Sequence, residues 1–157
     1  MKQLPQNLKA LLQDIGEDSA LLYLAILLAQ KRGWKVYRSY TEDSCDIVLR
    51  RTHGKPRPGY RKELRIEVKT RQNLVTTRKG SQIQFMLTRA EYNSCQFVIG
   101  IWFDRGDYFI FPKSVLKPAS AANKHYRISV NRLRNGSYNK IGAKYRNKWE
   151  LISAKLK

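Results

Sequence analysis

The sequence is poor in the residues that build many familiar sites. It has two cysteines in 157 residues, Cys45 and Cys95, isolated and without metal-type spacing. That excludes a disulfide framework and a cysteine-based zinc site, and each thiol opens or precedes an apolar run, so both are expected buried and reduced. Its two histidines, His53 and His125, have no acidic or cysteine partner at ligand spacing and are read as incidental. No Ser/His/Asp arrangement and no phosphate-cradling glycine loop can be assembled. Long apolar runs are absent too. The longest, ALLYLAILLA at 20–29, falls short of the roughly 18 residues a membrane span needs. It follows acidic Glu17 and Asp18, the wrong flank for a signal peptide. A membrane partner is not expected, and the compartment expected is the cytoplasm, at the nucleoid in a prokaryote.

Acidic residues are the scarcest chemical class. Twelve Asp and Glu face 31 Lys and Arg, a formal net charge of +19. Solubility does not need such an excess, and it points to a polyanion, with nucleic acid ahead of an anionic membrane surface. The charge is uneven: about +1 over residues 1–32, about +7 over 33–111 and about +11 over 112–157. The first segment reads as scaffold and the later ones as contact surface.

The length favours one domain over residues 1–157, with a core at about 16–112 and a basic extension at 113–157. Pro5 and NLKALLQ predict a short helix ending at Gly16, and residues 17–32 a second helix stopped by Gly33. The second is apolar nearly all round, so it should be buried against a sheet or another subunit. Strands are predicted at 34–39, 45–50, 63–70 and 81–87. Thr88 and Glu91 make a capping box for a helix at 89–94. QFVIGIWF and DYFIFP should pair through a turn at Asp104–Asp107, HYRISV reads as a strand, and YRNKWELISAKL as a terminal helix. This order predicts one α/β domain with a mixed sheet.

Within the third strand, LRIEVKTR, Leu64, Ile66 and Val68 alternate as a core face should, while Arg65, Glu67 and Lys69 share the other face. Alone, Glu67 and Lys69 are compatible with a solvated strand face. Asp46, however, opens the preceding apolar strand. If the two strands form a hairpin through the loop between them, Asp46 and Glu67 converge, and two adjacent carboxylates suit a hard cation such as Mg²⁺. A lysine beside it can orient water and offset phosphate charge. Glu17 supplies a third carboxylate, in line with Leu21, Leu24 and Leu28. It serves either a site or the first helical turn. Asp18, one position round, should be exposed.

Glu17 in a helix, then Asp46, then Glu67-Val-Lys69 in a strand, resembles the PD-(D/E)xK nuclease superfamily. That superfamily includes restriction enzymes, Holliday-junction resolvases, repair nucleases and some homing endonucleases. The likeness covers roughly residues 16–112, and the proline of the motif is replaced by Ser44-Cys45. It implies a restriction-endonuclease-like mixed β-sheet flanked by helices and Mg²⁺-dependent (Mn²⁺ as a substitute) hydrolysis of DNA phosphodiesters. Asp46 and Glu67 would bind metal, Lys69 would assist the water and Glu17 would help from the helix. Some members place a glutamine downstream. Gln82 and Gln84 share one strand face, and Gln84 is preferred. No organic cofactor is expected.

Arg50, Arg51, Lys55, Arg57, Arg61 and Lys62 lie between the two acidic strands, and Arg71, Arg78 and Lys79 follow Lys69. These flank the proposed site where double-stranded DNA must approach. Tyr126, Tyr138, Tyr145 and Trp149 interleave with the C-terminal basic residues, a mixture suited to stacking. Site-specific cleavage of homing or restriction type is favoured over a resolvase or repair nuclease, because the basic loops and C-terminal part exceed a minimal core. Cutting both strands calls for a homo-oligomer, to which the 20–29 helix could contribute. The rival of another class is a non-catalytic basic nucleic-acid-binding protein.

Overall fold

A computed structural model describes residues 5–31, 33–39, 45–53, 62–72, 75–77, 80–120 and 125–156. In chain order the elements are α1 (Gln6–Ala29), β1 (Trp34–Arg38), β2 (Ile47–Arg51), β3 (Glu63–Arg71), β4 (Val75–Thr77) and β5 (Gly80–Thr88). They continue with α2 (Arg89–Ser94), β6 (Phe97–Trp102), β7 (Asp107–Pro112), β8 (Lys117–Pro118), β9 (His125–Leu133), α3 (Lys140–Tyr145) and α4 (Glu150–Ser153).

The first sheet has the order β1-β2-β3-β6-β7 and is mixed, with only β3 and β6 parallel. The uninterrupted apolar run FVIGIW explains β6. All six residues are buried, as a strand covered on both faces requires. On one side α1 packs Ala20, Leu24 and Leu28 against Ile47, Leu49, Leu64, Ile66 and Val68, joined by Ile152 of α4. On the other side lies a second, antiparallel sheet in the order β4-β5-β9-β8. Its Phe85, Leu87, Ile128 and Val130 meet Val98, Phe109 and Phe111 from the first sheet in a second core. Gly100 of β6 allows this approach, since a Cβ there would stand 2.7 Å from the Phe85 ring.

The expected mixed sheet is present, and a second sheet joins it. Three expectations need correction. The two N-terminal helices are a single helix, unbroken at Gly16. There the missing side chain serves close packing, not termination: a Cβ would lie 1.8 Å from Thr70 Oγ1 of β3. Glu17 consequently sits far from the first turn of α1, so the helix-dipole role for it falls away. The continuous terminal helix is broken at Arg146–Asn147. Asn147 adopts a positive φ of 53° and donates to Tyr108 O at 2.7 Å, while Arg146 bridges to Phe109. Three further expectations hold. Thr88 and Glu91 form the capping box, the β6–β7 turn pairs Trp102 with Asp107, and both cysteines are buried and free.

The C-terminal aromatic side chains also differ from expectation, because the fold itself uses their rings. Tyr126 stacks on Tyr92 at 3.6 Å, Trp149 stacks on Tyr23 at 5.2 Å, and Tyr145 is buried in the second core. The Tyr138 hydroxyl donates to Asp107, which also accepts from Arg146 Nε at 2.7 Å. This pair of contacts ties the C-terminal segment to β7.

Candidate active site

The site begins where β2 and β3 part. Their antiparallel register pairs Ile47 with Ile66, and Asp46 N donates to Ile66 O at 3.1 Å. Beyond Ile66 the β2 side of β3 would present unpaired backbone groups, which a buried strand cannot leave unsatisfied. Two side chains meet them. Val68 N donates to Asp46 Oδ2 at 2.7 Å. Gln13 of α1 gives its Nε2 to Val68 O at 2.8 Å and accepts from Thr70 N at 3.0 Å. The hairpin thus brings Asp46 to Glu67 and Lys69, as the sequence spacing requires.

Glu67 is not on a solvated face. Its residue is 3 % exposed at the margin of the second core, and its Oε2 is buried with no hydrogen-bond partner. Oε1 holds Lys69 Nζ at 2.6 Å, and Lys69 also reaches Glu91 Oε1 at 3.0 Å. Burial, and then the Asp46 charge, push the Glu67 carboxyl up to about 8 against the pull of Lys69. Burial raises Asp46 to about 6, with Glu17 adding to the rise and the Val68 N–H opposing it. The ammonium of Lys69 is stabilised above its ordinary value, because the charges and hydrogen bonds of Glu67 and Glu91 outweigh burial.

Glu17 stands near this group but is engaged on its own side. Its Oε2 pairs with Arg38 at 2.9 Å and its Oε1 accepts from Gln13 Nε2 at 2.9 Å. Asp18 is exposed and also pairs with Arg38, at 2.8 Å. Gln84 is not brought to the carboxylates. Ile83, Phe85 and Leu87 occupy the core-facing side of β5, so alternation turns Gln84 outward, where it donates to Ser129 Oγ at 3.3 Å. Sequence reasoning missed Gln13 and the second role of Glu91. A signal existed for Gln13, one helical turn before Glu17 on the same face.

Arg50 chelates Glu63 Oε2 from Nε and Nη2 at 3.2 and 3.0 Å with most of its side chain exposed, and Arg51 Nε donates to His53 O at 3.1 Å. Arg71 donates to Thr70 O at 2.9 Å, and burial lowers its pKa. With Lys9 and Lys69 it lines a cavity of about 480 Å³ beside the end of β3. Lys55, Arg57, Arg61, Arg78 and Lys79 lie outside the described residues.

Among the described residues, no three His, Cys, Asp or Glu converge as a ready metal cage. Two carboxylates with water and substrate completing the shell are nevertheless what Mg²⁺ ordinarily uses. Glu67 Oε2, buried without a partner, and the adjacent Asp46 carboxylate form a donor set whose chemistry fits a hard cation.

No known family profile and no curated protein matches the sequence. Solved structures do. A bacterial homing endonuclease, I-Ssp6803I, superposes with a TM-score of 0.61 at 21 % identity, over 98 % of this chain and 94 % of that one. The fold is that of the restriction-endonuclease-like nucleases. Hjc, a Holliday junction resolvase from Archaeoglobus fulgidus, matches with a TM-score of 0.47 at 19 % identity, over 84 % of this chain and 93 % of that one. In the restriction-endonuclease-like architecture of this chain, the β2–β3 hairpin carries Asp46, Glu67 and Lys69, and α1 closes the exposed side of β3.

Proposed function

We propose that this protein is a Mg²⁺-dependent endonuclease that hydrolyses phosphodiester bonds of double-stranded DNA, with Mn²⁺ as a substitute, at specific sites in the manner of homing or restriction enzymes. One observation carries the reading: a buried carboxylate oxygen without a partner, Glu67 Oε2, beside Asp46 and beside an ammonium clamped at Lys69. The bacterial homing endonuclease that shares the fold over nearly the whole chain adds support.

Asp46 and Glu67 would hold the cation. When bound, Mg²⁺ supplies positive charge at the scissile phosphate and lowers the pKa of water. Lys69 acts as a donor, not a general base, because Glu67 and Glu91 keep it protonated. It orients the attacking water and offsets charge developing on the phosphate. Gln13 and Glu91 are positioning residues, one fixing the β3 backbone and the other the Lys69 ammonium. Glu17, held by Arg38, adds negative charge that repels the Asp46 carboxylate and would add to the pull on a cation. Arg50, Arg51 and Arg71 supply phosphate contacts around it.

Cutting two strands calls for two such sites, and α1 offers an interface. Leu8, Leu11, Ile15, Leu22 and Ile26 are exposed at helical spacing along it, in the near-neutral part of the chain. Among the described residues no helix is long and apolar enough to cross a membrane.

The test is incubation with supercoiled, linear and four-way-junction DNA in Mg²⁺ or EDTA, with Glu67→Ala and Lys69→Ala as controls. Mg²⁺-dependent cutting of duplex that both variants lose supports the reading. Selective cutting of junctions moves it to a resolvase. Binding without cutting of any substrate leaves a non-catalytic DNA-binding protein.

A further inference from the structure

The outer face of the second sheet has the chemistry of a surface that reads DNA bases. Because Ile83, Phe85, Leu87, Ile128 and Val130 are buried in the second core, strand alternation turns Gln82, Gln84 and Met86 of β5 and Arg127 and Ser129 of β9 the other way. Lys117, opposite Arg127 in the register, shares that face. Strands β4, β5, β8 and β9 contain no Asp or Glu at all. Among the described residues of these strands the face therefore presents amides, a hydroxyl, cations and a thioether without one carboxylate to repel phosphate.

Its shape also suits a groove. β4 flanks β5 only at Gly80–Gln82, and β8 flanks β9 only at Tyr126–Arg127. Among the described residues this leaves 83–85 and 128–130 as a ribbon two strands wide, the width of sheet that the major groove admits. Gln84 and Ser129 are paired at its centre, joined by one long 3.3 Å hydrogen bond that a base edge can replace. β5 then runs directly into α2, whose Glu91 grips Lys69, so this ribbon is physically continuous with the candidate site.

We propose that the outer face of β5 and β9 lies in the major groove and reads base sequence, rather than the loops or the C-terminal segment doing so. This rests on the endonuclease reading for its biological purpose, but not for its test. Amide side chains at 82 and 84 offer the paired donor and acceptor that adenine takes, Arg127 and Lys117 offer the donors that guanine takes, and Met86 suits a thymine methyl. From Gln82 to Met86 a strand spans about 14 Å, roughly four base-pair rises per protomer.

The experiment is selection of bound duplexes from a randomised DNA library in EDTA, where no cutting intervenes. The wild type is expected to return a defined motif. Gln82→Ala, Gln84→Ala and Arg127→Ala should each lose preference at separate positions, with binding to the wild-type motif falling roughly 5- to 150-fold and non-specific binding kept. Gln84→Glu, which places a carboxylate mid-ribbon, should weaken binding to every duplex. If the alanine variants return the wild-type motif unchanged, or weaken all sequences equally with a shallower salt dependence, the face contacts only phosphate or nothing and the proposal fails. A wild type that selects no motif, or prefers RNA, overturns it as well. A sheet-dependent motif in a protein that never cuts DNA would uphold this proposal and remove the nuclease.

Discussion

The Asp46 carboxylate accepts the backbone N–H of Val68 across the gap where β2 and β3 separate. This one bond gives Asp46 two roles, as filler of an open strand edge and as charge beside Glu67. Substitutions can separate them. Asp46→Asn keeps an acceptor for Val68 and should fold with near wild-type stability while cleavage falls about 10²–10³-fold. Asp46→Ala should lose both, with a stability cost of about 1–3 kcal/mol for the unsatisfied N–H. Urea unfolding beside plasmid cleavage checks the pair. Equal stability loss in both variants would contradict the assignment.

Glu67 makes the metal-free protein sensitive to pH. Its carboxyl is raised from 4.5 to about 8, so between those values the native state holds a proton that the unfolded chain has released. Stability from this group is therefore complete below about pH 4.5 and is lost as pH rises towards 8. In EDTA, Glu67→Gln should gain on the wild type between pH 5 and pH 8, by about 2–4 °C in Tm for each kcal/mol recovered. At pH 8, added Mg²⁺ should raise the wild-type Tm and leave Glu67→Gln unmoved. Thermal melts at the two pH values decide this.

What the sequence revealed and what it concealed follow from how local each feature is. Asp46, Glu67 and Lys69 were legible because a strand period of two and one hairpin determine where they meet. The second sheet was not, because β5 finds β9 across more than thirty intervening residues, and no local pattern encodes that pairing. The same distant pairing decides which side of β5 is buried, so alternation separated Gln84 from Phe85 without telling which faced the site. Gly16 was misread because a helix stop and a close approach leave the same letter, and only Thr70 of β3 tells them apart.

Glu91 both caps α2 and holds Lys69, and Thr88 shares only the first task. Thr88→Ala should therefore cost about 0.5–2 kcal/mol of stability and leave catalysis alone. Glu91→Gln should also slow cleavage roughly tenfold, the equivalent of one charge-assisted hydrogen bond of about 1.5 kcal/mol. It removes a charge that raises the Lys69 pKa, so the alkaline limb of the rate profile should move to lower pH. A pH–rate profile of the two variants is the check. Identical profiles would leave Glu91 with its cap alone.

The exposed stripe on α1 should make the protein self-associate. Leu22 and Ile26 remain 62 % and 61 % exposed in the single chain, and an uncovered apolar row of this kind is unfavourable in water. Leu22→Glu combined with Ile26→Glu should reduce the mass measured by light scattering to that of one chain, and should convert double-strand cutting to nicking. A wild type that is monomeric with DNA bound would remove the oligomer from the functional proposal.

The contact between Gly16 and Thr70 predicts a substitution with a reversed sign. In a helix interior, Gly→Ala ordinarily stabilises by about 0.8–1 kcal/mol. Here the added Cβ would stand 1.8 Å from Thr70 Oγ1, so α1 must move away from β3. Gly16→Ala should instead destabilise by about 1–3 kcal/mol, the usual cost of overpacking. The displacement would carry Gln13 away from Val68 and Thr70, lowering cleavage by more than the stability loss alone explains. Thr70→Ala removes the clashing hydroxyl, which has no hydrogen-bond partner of its own, and leaves a Cβ at 3.0 Å from the new methyl. The double variant should recover part of the stability and part of the activity together. Denaturant melts and cleavage rates on all three proteins test this; an additive double variant would mean that α1 is not seated through this contact.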